Sequence, residues 1–117
     1  MDLDHAIQKH SEWRIKFRSA ISKHETVDTG NIAHDDSCEF GKWLHGEARA
    51  KFGKLGSYSE CLSKHAAFHL EASKVAVAIN QKKYAEAEHM IGNNTPYTAA
   101  STAIAGAILK LKKETQL

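Results

Sequence analysis

His65 and His69 stand four residues apart in the run Cys61-Leu62-Ser63-Lys64-His65-Ala66-Ala67-Phe68-His69. In a helix, that spacing stacks two side chains one turn apart on one face, so both imidazoles point the same way. One helix can thereby offer two nitrogen ligands to one metal ion. The pair alone is a weak signal, because His-x-x-x-His is short. A site requires further ligands, and elements that carry them inward.

The 117-residue chain contains eight histidines and two cysteines. Histidine is the commonest metal ligand and titrates near physiological pH. His10 falls on a stripe of Leu3, Ile7, Trp13, Phe17, Ala20 and Ile21, whose spacings of three and four predict an amphipathic helix from Leu3 to about His24. An inward histidine there needs a partner, which could be no more than another core side chain or a water. Asp36-Ser37-Cys38-Glu39 reads as a helix start, capped by Asp36 or Ser37. Cys38 then falls in the first turn, where free N–H groups and the positive end of the dipole favour a thiolate.

The elements that would position these residues are all helical. After the first helix, residues 25–37 lack a sustained period and read as a loop. A short helix follows to about Phe52. Its internal Gly41 costs about 1 kcal/mol relative to alanine and points to close approach of a backbone or ligand. Ser57-Tyr58-Ser59-Glu60 is a capping-box pattern that opens a third helix running to about Gln81. Tyr84 to Ile91 is a further short helix. Thr95-Pro96 starts the last one, rich in small residues, with Lys110, Lys112 and Lys113 suited to its C-terminus. No run alternates long enough to make a strand. The expectation is an all-α fold, an antiparallel four-helix bundle with an additional short helix, forming a single domain over residues 1–117.

In such a bundle His10, Cys38, His65 and His69 can meet. Three imidazoles and one thiolate complete a tetrahedral site that suits zinc and disfavours the oxygen-seeking magnesium and calcium. One thiolate on a dication leaves a positive charge, so a carboxylate or carbonyl is expected close by. Cys61 is a rival fourth ligand on the face of His65 and His69. Ligands from three consecutive turns of one helix converge poorly, because the outer two are about 12 Å apart at the backbone. Cys61 reads better as a small buried filler, with a resolving thiol for oxidised Cys38 as the alternative. His34 and His45 flank Cys38, and His34 is read as a solvated loop residue; His5, His24 and His89 are also read as solvated. Trp13, Phe40 and Trp43 are expected in the core, as an apolar wall around the metal.

Composition bounds the rest. Hydrophobic content of 42% and charged content of 26% fit a globular domain able to bury a core without staples. A net charge of +2 with scattered basic residues gives no basis for nucleic-acid or anionic-membrane binding. The acidic start Met1-Asp2-Leu3-Asp4 does not read as a signal peptide, and no apolar run is long enough to span a bilayer. Two cysteines make no disulfide framework, and a reducing, cytoplasmic setting is expected.

Three segments taken together carry a resemblance: His10-Ser11-Glu12-Trp13, then Cys38-Glu39-Phe40-Gly41-Lys42-Trp43, then His65-Ala66-Ala67-Phe68-His69. They resemble the chemoreceptor zinc-binding domain family, marked by His-x-x-Trp, Cys-x-Phe-Gly-x-Trp and His-x-x-x-His in this order. The resemblance covers essentially the whole chain. It implies zinc ligation by His10, Cys38, His65 and His69, one zinc per chain, and a homodimeric four-helix bundle. It also implies a regulatory role attached to bacterial chemoreceptors or diguanylate cyclases, responding to zinc or to oxidants such as hypochlorous acid through the zinc–cysteine bond. Either end can be a cut made in a longer protein, and no signalling or cyclase domain is read within these 117 residues. A zinc hydrolase would keep an open coordination position and a general base, and neither is evident. A di-iron bundle would need bridging carboxylates that Glu60 and Glu71 do not supply. A zinc that only holds a dimerisation bundle together is the remaining alternative.

Overall fold

The computed structural model describes residues 1–116. Among them the chain forms seven helices and no strand: α1 (Leu3–Lys23), α2 (Thr29–Ala33), α3 (Glu39–His45), α4 (Glu47–Phe52), α5 (Gly56–Asn80), α6 (Tyr84–Met90) and α7 (Pro96–Thr115). The all-α expectation holds, with three long helices and four short ones. At about 1.5 Å per residue, α5 spans most of the 43 Å long dimension.

Local chemistry sets the ends of the long helices. The Asp2 carboxylate caps α1 by accepting from the His5 N–H, and His24 closes it with φ 56°. Thr95 caps α7 by accepting from the Thr98 N–H, and Pro96 fills the first turn, as the sequence indicates. The start of α5 differs from expectation. Leu55 stands at its N-cap position and no side chain caps it. Ser57, inside the first turn, donates instead to Glu114, and Glu60 pairs with Lys110. Tertiary partners on α7 take both groups that a capping box would use.

Cross-helix bonds fix the directions. Near its start α1 meets the end of α7 through Asp4 and Lys112, 2.7 Å apart, and farther along it meets the start of α7 through Arg14 and Thr98, at 2.7 Å. The Ser57–Glu114 and Glu60–Lys110 pairs likewise set α5 antiparallel to α7. It follows that α1 and α5 run parallel, side by side. Residues 24–55 make the return journey between them. Val27 exchanges two 2.8 Å bonds with Asn80 at the end of α5, and Leu44 accepts from the Tyr58 hydroxyl near its start.

That return leg is where the structure departs most from expectation. The predicted loop contains α2, capped by the Asp28 carboxylate on the Gly30 and Asn31 N–H groups. The predicted second helix is broken at Gly46 (φ −106°, ψ −99°) into α3 and α4. Short helices with few buried residues lack the long apolar period that makes a helix legible.

Gly41 in α3 is buried, and a Cβ there would lie 1.7 Å from the Asp35 carbonyl oxygen. The close approach read from the sequence is therefore to backbone. Gly41→Ala must push α3 off the 34–36 turn, and we expect a loss of about 3 kcal/mol in a denaturant titration. A loss below about 1 kcal/mol would show that the turn yields easily.

Candidate metal centre

Parallel alignment of α1 and α5 brings His10 level with His65, and the helical spacing puts His69 one turn beyond. The start of α3 delivers Cys38 to the same point. One ligand atom from each of these four residues lies within 4.8 Å of every other. His65 Nε2 is 3.1 Å from both His10 Nε2 and His69 Nε2. Cys38 Sγ is 3.5 Å from His65 Nε2 and 3.7 Å from His69 Nε2. A tetrahedron with zinc-like bond lengths has N···N edges of about 3.3 Å and N···S edges of about 3.6 Å.

Hydrogen bonds set the tautomers. His10 Nδ1–H donates to the Ala6 carbonyl at 2.7 Å, and His69 Nδ1–H donates to the Ile32 carbonyl at 2.9 Å. A carbonyl only accepts, so each Nδ1 carries the proton and each Nε2 presents a lone pair inward. His65 Nδ1 is buried without a hydrogen-bond partner, and the Asp35 carboxylate lies 4.0 Å away. Asp35 also accepts from His45 Nε2 at 3.2 Å. It meets the expectation of a carboxylate near the ligands.

The ligand environments are unequal. His10, His65 and His69 are 5%, 0% and 1% exposed, whereas Cys38 is half-buried. Burial drives His65 down to about 2, helped by its neighbours His69 and His10. Burial lowers His10 and His69 as well. All three are thus neutral near pH 7, the state in which an imidazole can ligate a metal.

Cys38 corrects one expectation. It is the N-cap of α3 itself, and its sulfur accepts from the Gly41 N–H at 3.2 Å. Burial nevertheless outweighs these N–H groups and raises the thiol above its ordinary value. The helix start alone does not secure a thiolate; a bound dication would supply the missing charge. The donor set, the four short edges and the fixed His10 and His69 tautomers fit one zinc ion.

Aromatic rings enclose the group. Phe40 lies 5.1 Å from His65, Trp13 lies 5.4 Å from His69, and Phe68 lies 5.3 Å from His10. Trp43 stands behind Phe40. Cys61 is fully buried outside the cluster, with its thiol pushed up to about 12 by burial and then by Glu60. His5, His24, His34 and His89 are exposed, with His24 stacked on Tyr84. Sequence reasoning missed Asp35 and the Ile32 carbonyl. An Asp-Asp pair in an aperiodic segment signals nothing specific, and a backbone acceptor has no sequence signature.

These features define a helical domain in which three histidines and one cysteine are positioned to bind one metal ion. Comparison with known proteins identifies the family: the chemoreceptor zinc-binding domain matches residues 10–76, and the chain belongs to it. No curated protein and no solved structure matches the chain. No helix among the described residues is long and apolar enough to cross a membrane.

The buried histidines dictate a pH dependence for the metal-free chain. Above the ordinary histidine value of 6.5, neither the folded nor the unfolded state binds a proton at His65. Below it the unfolded chain takes up a proton that the folded chain refuses. Stability is therefore full above pH 6.5 and falls below it, by up to about 1.4 kcal/mol per pH unit for each such histidine. Denaturant titrations of metal-free protein between pH 8 and 5 check this. A flat profile would mean that the histidines are solvated once the metal is gone.

Proposed function

We propose that this chain is a zinc-responsive regulatory domain whose His10, Cys38, His65 and His69 side chains ligate one zinc ion. The observation that carries the reading is the inequality of the ligands. Three buried, neutral histidines from long helices form a fixed anchor. The fourth ligand is half-buried, carried by a short helix, and lines two clefts, of about 600 and 290 Å³. The Cys38 bond is the one that solvent and small oxidants can reach.

The signal in this reading is zinc depletion or oxidation. A Cys38 thiolate that takes oxygen from hypochlorous acid becomes a sulfenic acid and releases chloride, losing the negative charge that held the metal. The histidine anchor then weakens, and α1 is freed relative to α5. A setting in the cytoplasm, and attachment to a chemoreceptor or diguanylate cyclase output, follow from the family's signalling role. All four donors are protein side chains and none of the flanking groups is placed as a base, which favours regulation over hydrolysis.

We further propose that the chain works as a homodimer, with the broken return leg completing a four-helix bundle in each subunit and the whole of residues 1–117 acting as one domain. From Pro96 to Leu109, α7 has no charged residue, although much of that stretch faces outward. Leu109 is 46% exposed and Ile15 on neighbouring α1 is 68% exposed. A solvated helix face normally carries charge, so this one suits a second copy.

Zinc stoichiometry with chelator competition tests the ligand set. One zinc per chain is expected, with His65→Ala and Cys38→Ser each weakening affinity by more than about 100-fold. Unchanged affinity in both variants would overturn it. One equivalent of hypochlorous acid should release zinc from the native protein and equally from Cys61→Ser. Zinc retained after oxidation would leave a purely structural metal. Light scattering should give twice the 13.0 kDa chain mass, reduced to one by Ile15→Asp with Leu109→Asp. A native monomer would refute the dimer.

A further inference from the structure

The larger cleft, of about 600 Å³, opens between α1 and the α2 segment. Its volume falls within the range of small-molecule sites, about 300–1,000 Å³. Trp13 and Phe17 of α1 face Val27 and Ile32 across it, so its walls are largely apolar. Lys16 of α1 and Lys42 of α3 also line it. Neither lysine has an ion-pair partner among the described residues. Asp28 is the one carboxylate among the lining residues. Its oxygens are already engaged by the Gly30 and Asn31 N–H groups and the Asn31 side-chain amide. Cations without partners, set on an apolar cleft whose only acid is engaged, are complementary to an organic anion.

We propose that this cleft binds a small organic monocarboxylate, its carboxylate at Lys16 and Lys42 and its compact apolar body against Trp13 and Phe17. An inorganic anion would leave the apolar walls unused, and a neutral apolar molecule would leave both ammoniums unpaired. The assignment is argued from the cleft and not from the zinc reading, although Cys38 also lines the cleft. It nevertheless places a ligand where it reaches the metal centre. Ile32 lines the cleft, while its carbonyl holds His69 Nδ1–H. The helix that carries Ile32 is five residues long and buries none of them. A ligand that displaces α2 alters the bond that orients His69. By linkage, any effect of the carboxylate on metal affinity is matched by an equal effect of metal on carboxylate affinity.

The probe is cyclohexanecarboxylate, titrated into the zinc-loaded full chain and read by tryptophan fluorescence and by backbone amide NMR shifts at Trp13, Val27 and Ile32. Saturable binding with a Kd of about 1 mM or tighter is expected for a ligand of this size. The neutral analogue cyclohexylmethanol, and the Lys16→Gln/Lys42→Gln variant with the carboxylate, should each bind at least about tenfold more weakly. Both lysines are exposed and unpaired, so the variant should fold and keep its zinc stoichiometry. Absence of saturation overturns the proposal. So does equal binding of the alcohol, which would make the cleft merely greasy. Equal binding by the variant also overturns it, because the carboxylate would then be held by the metal or elsewhere.

Discussion

Three imidazole nitrogens and a sulfur crowd one point in the interior of this chain. His65 Nε2 has two other ring nitrogens at 3.1 Å, and the Ala6 and Ile32 carbonyls hold the tautomers that turn those nitrogens' lone pairs inward. Lone pairs so placed repel one another, and burial denies them protons. A shared Lewis acid would turn the arrangement into a favourable one by accepting every lone pair at once, which a single proton on His65 Nε2 could do only in part. The rest of the structure follows from meeting this demand. The parallel alignment of α1 and α5 sets His10 beside His65. The return leg must then bring a sulfur to the same level, and Gly41 lets that leg press its backbone against the Asp35 carbonyl.

The four proposed ligands divide by how they are held. His65 and His69 share a helix of 25 residues whose inner face is the core of the chain, and His10 belongs to one of 21. Cys38 begins a helix of seven residues, reached through a segment held by few bonds. Displacing a histidine means displacing a long helix and the Phe17, Phe68 and Tyr97 packing around it. Displacing Cys38 means moving a short turn. Local stability is graded in this way wherever a protein must keep a site and also let it respond.

Much of this could be read from residue order. The apolar stripe of α1 carried His10, the four-residue spacing joined His65 to His69, and Thr95-Pro96 marked the start of α7. These are long-period or cap signals that depend on nearby residues alone. The features that escaped depend on distant ones. Ser57 and Glu60 have the spacing of a capping box, yet Glu114 and Lys110 across the bundle claim them. The break at Gly46 and the five-residue α2 are too short to show a period. The role of Asp35 depends on His45 and His65, ten and thirty residues away. Cys38 shows the limit of a local rule, because its helix-start environment is real but burial outweighs it.

The proposed metal centre also bears on how the long helices are tied together. Polar pairs at both ends tie α1 to α7, through Asp4 with Lys112 and Arg14 with Thr98. Polar pairs tie α5 to α7 as well. Between α1 and α5, the ring contacts of His10 and Trp13 with His65, Phe68 and His69 dominate. The metal would therefore be the main polar link across the α1–α5 seam. Without it α1 would stay attached to α7 and α5 to α7, while the seam between them would keep its ring contacts alone. If Cys38 is the labile ligand of the proposed zinc site, a helix pair hinged on a third and clasped at that one level would convert a local chemical change at Cys38 into relative helix motion.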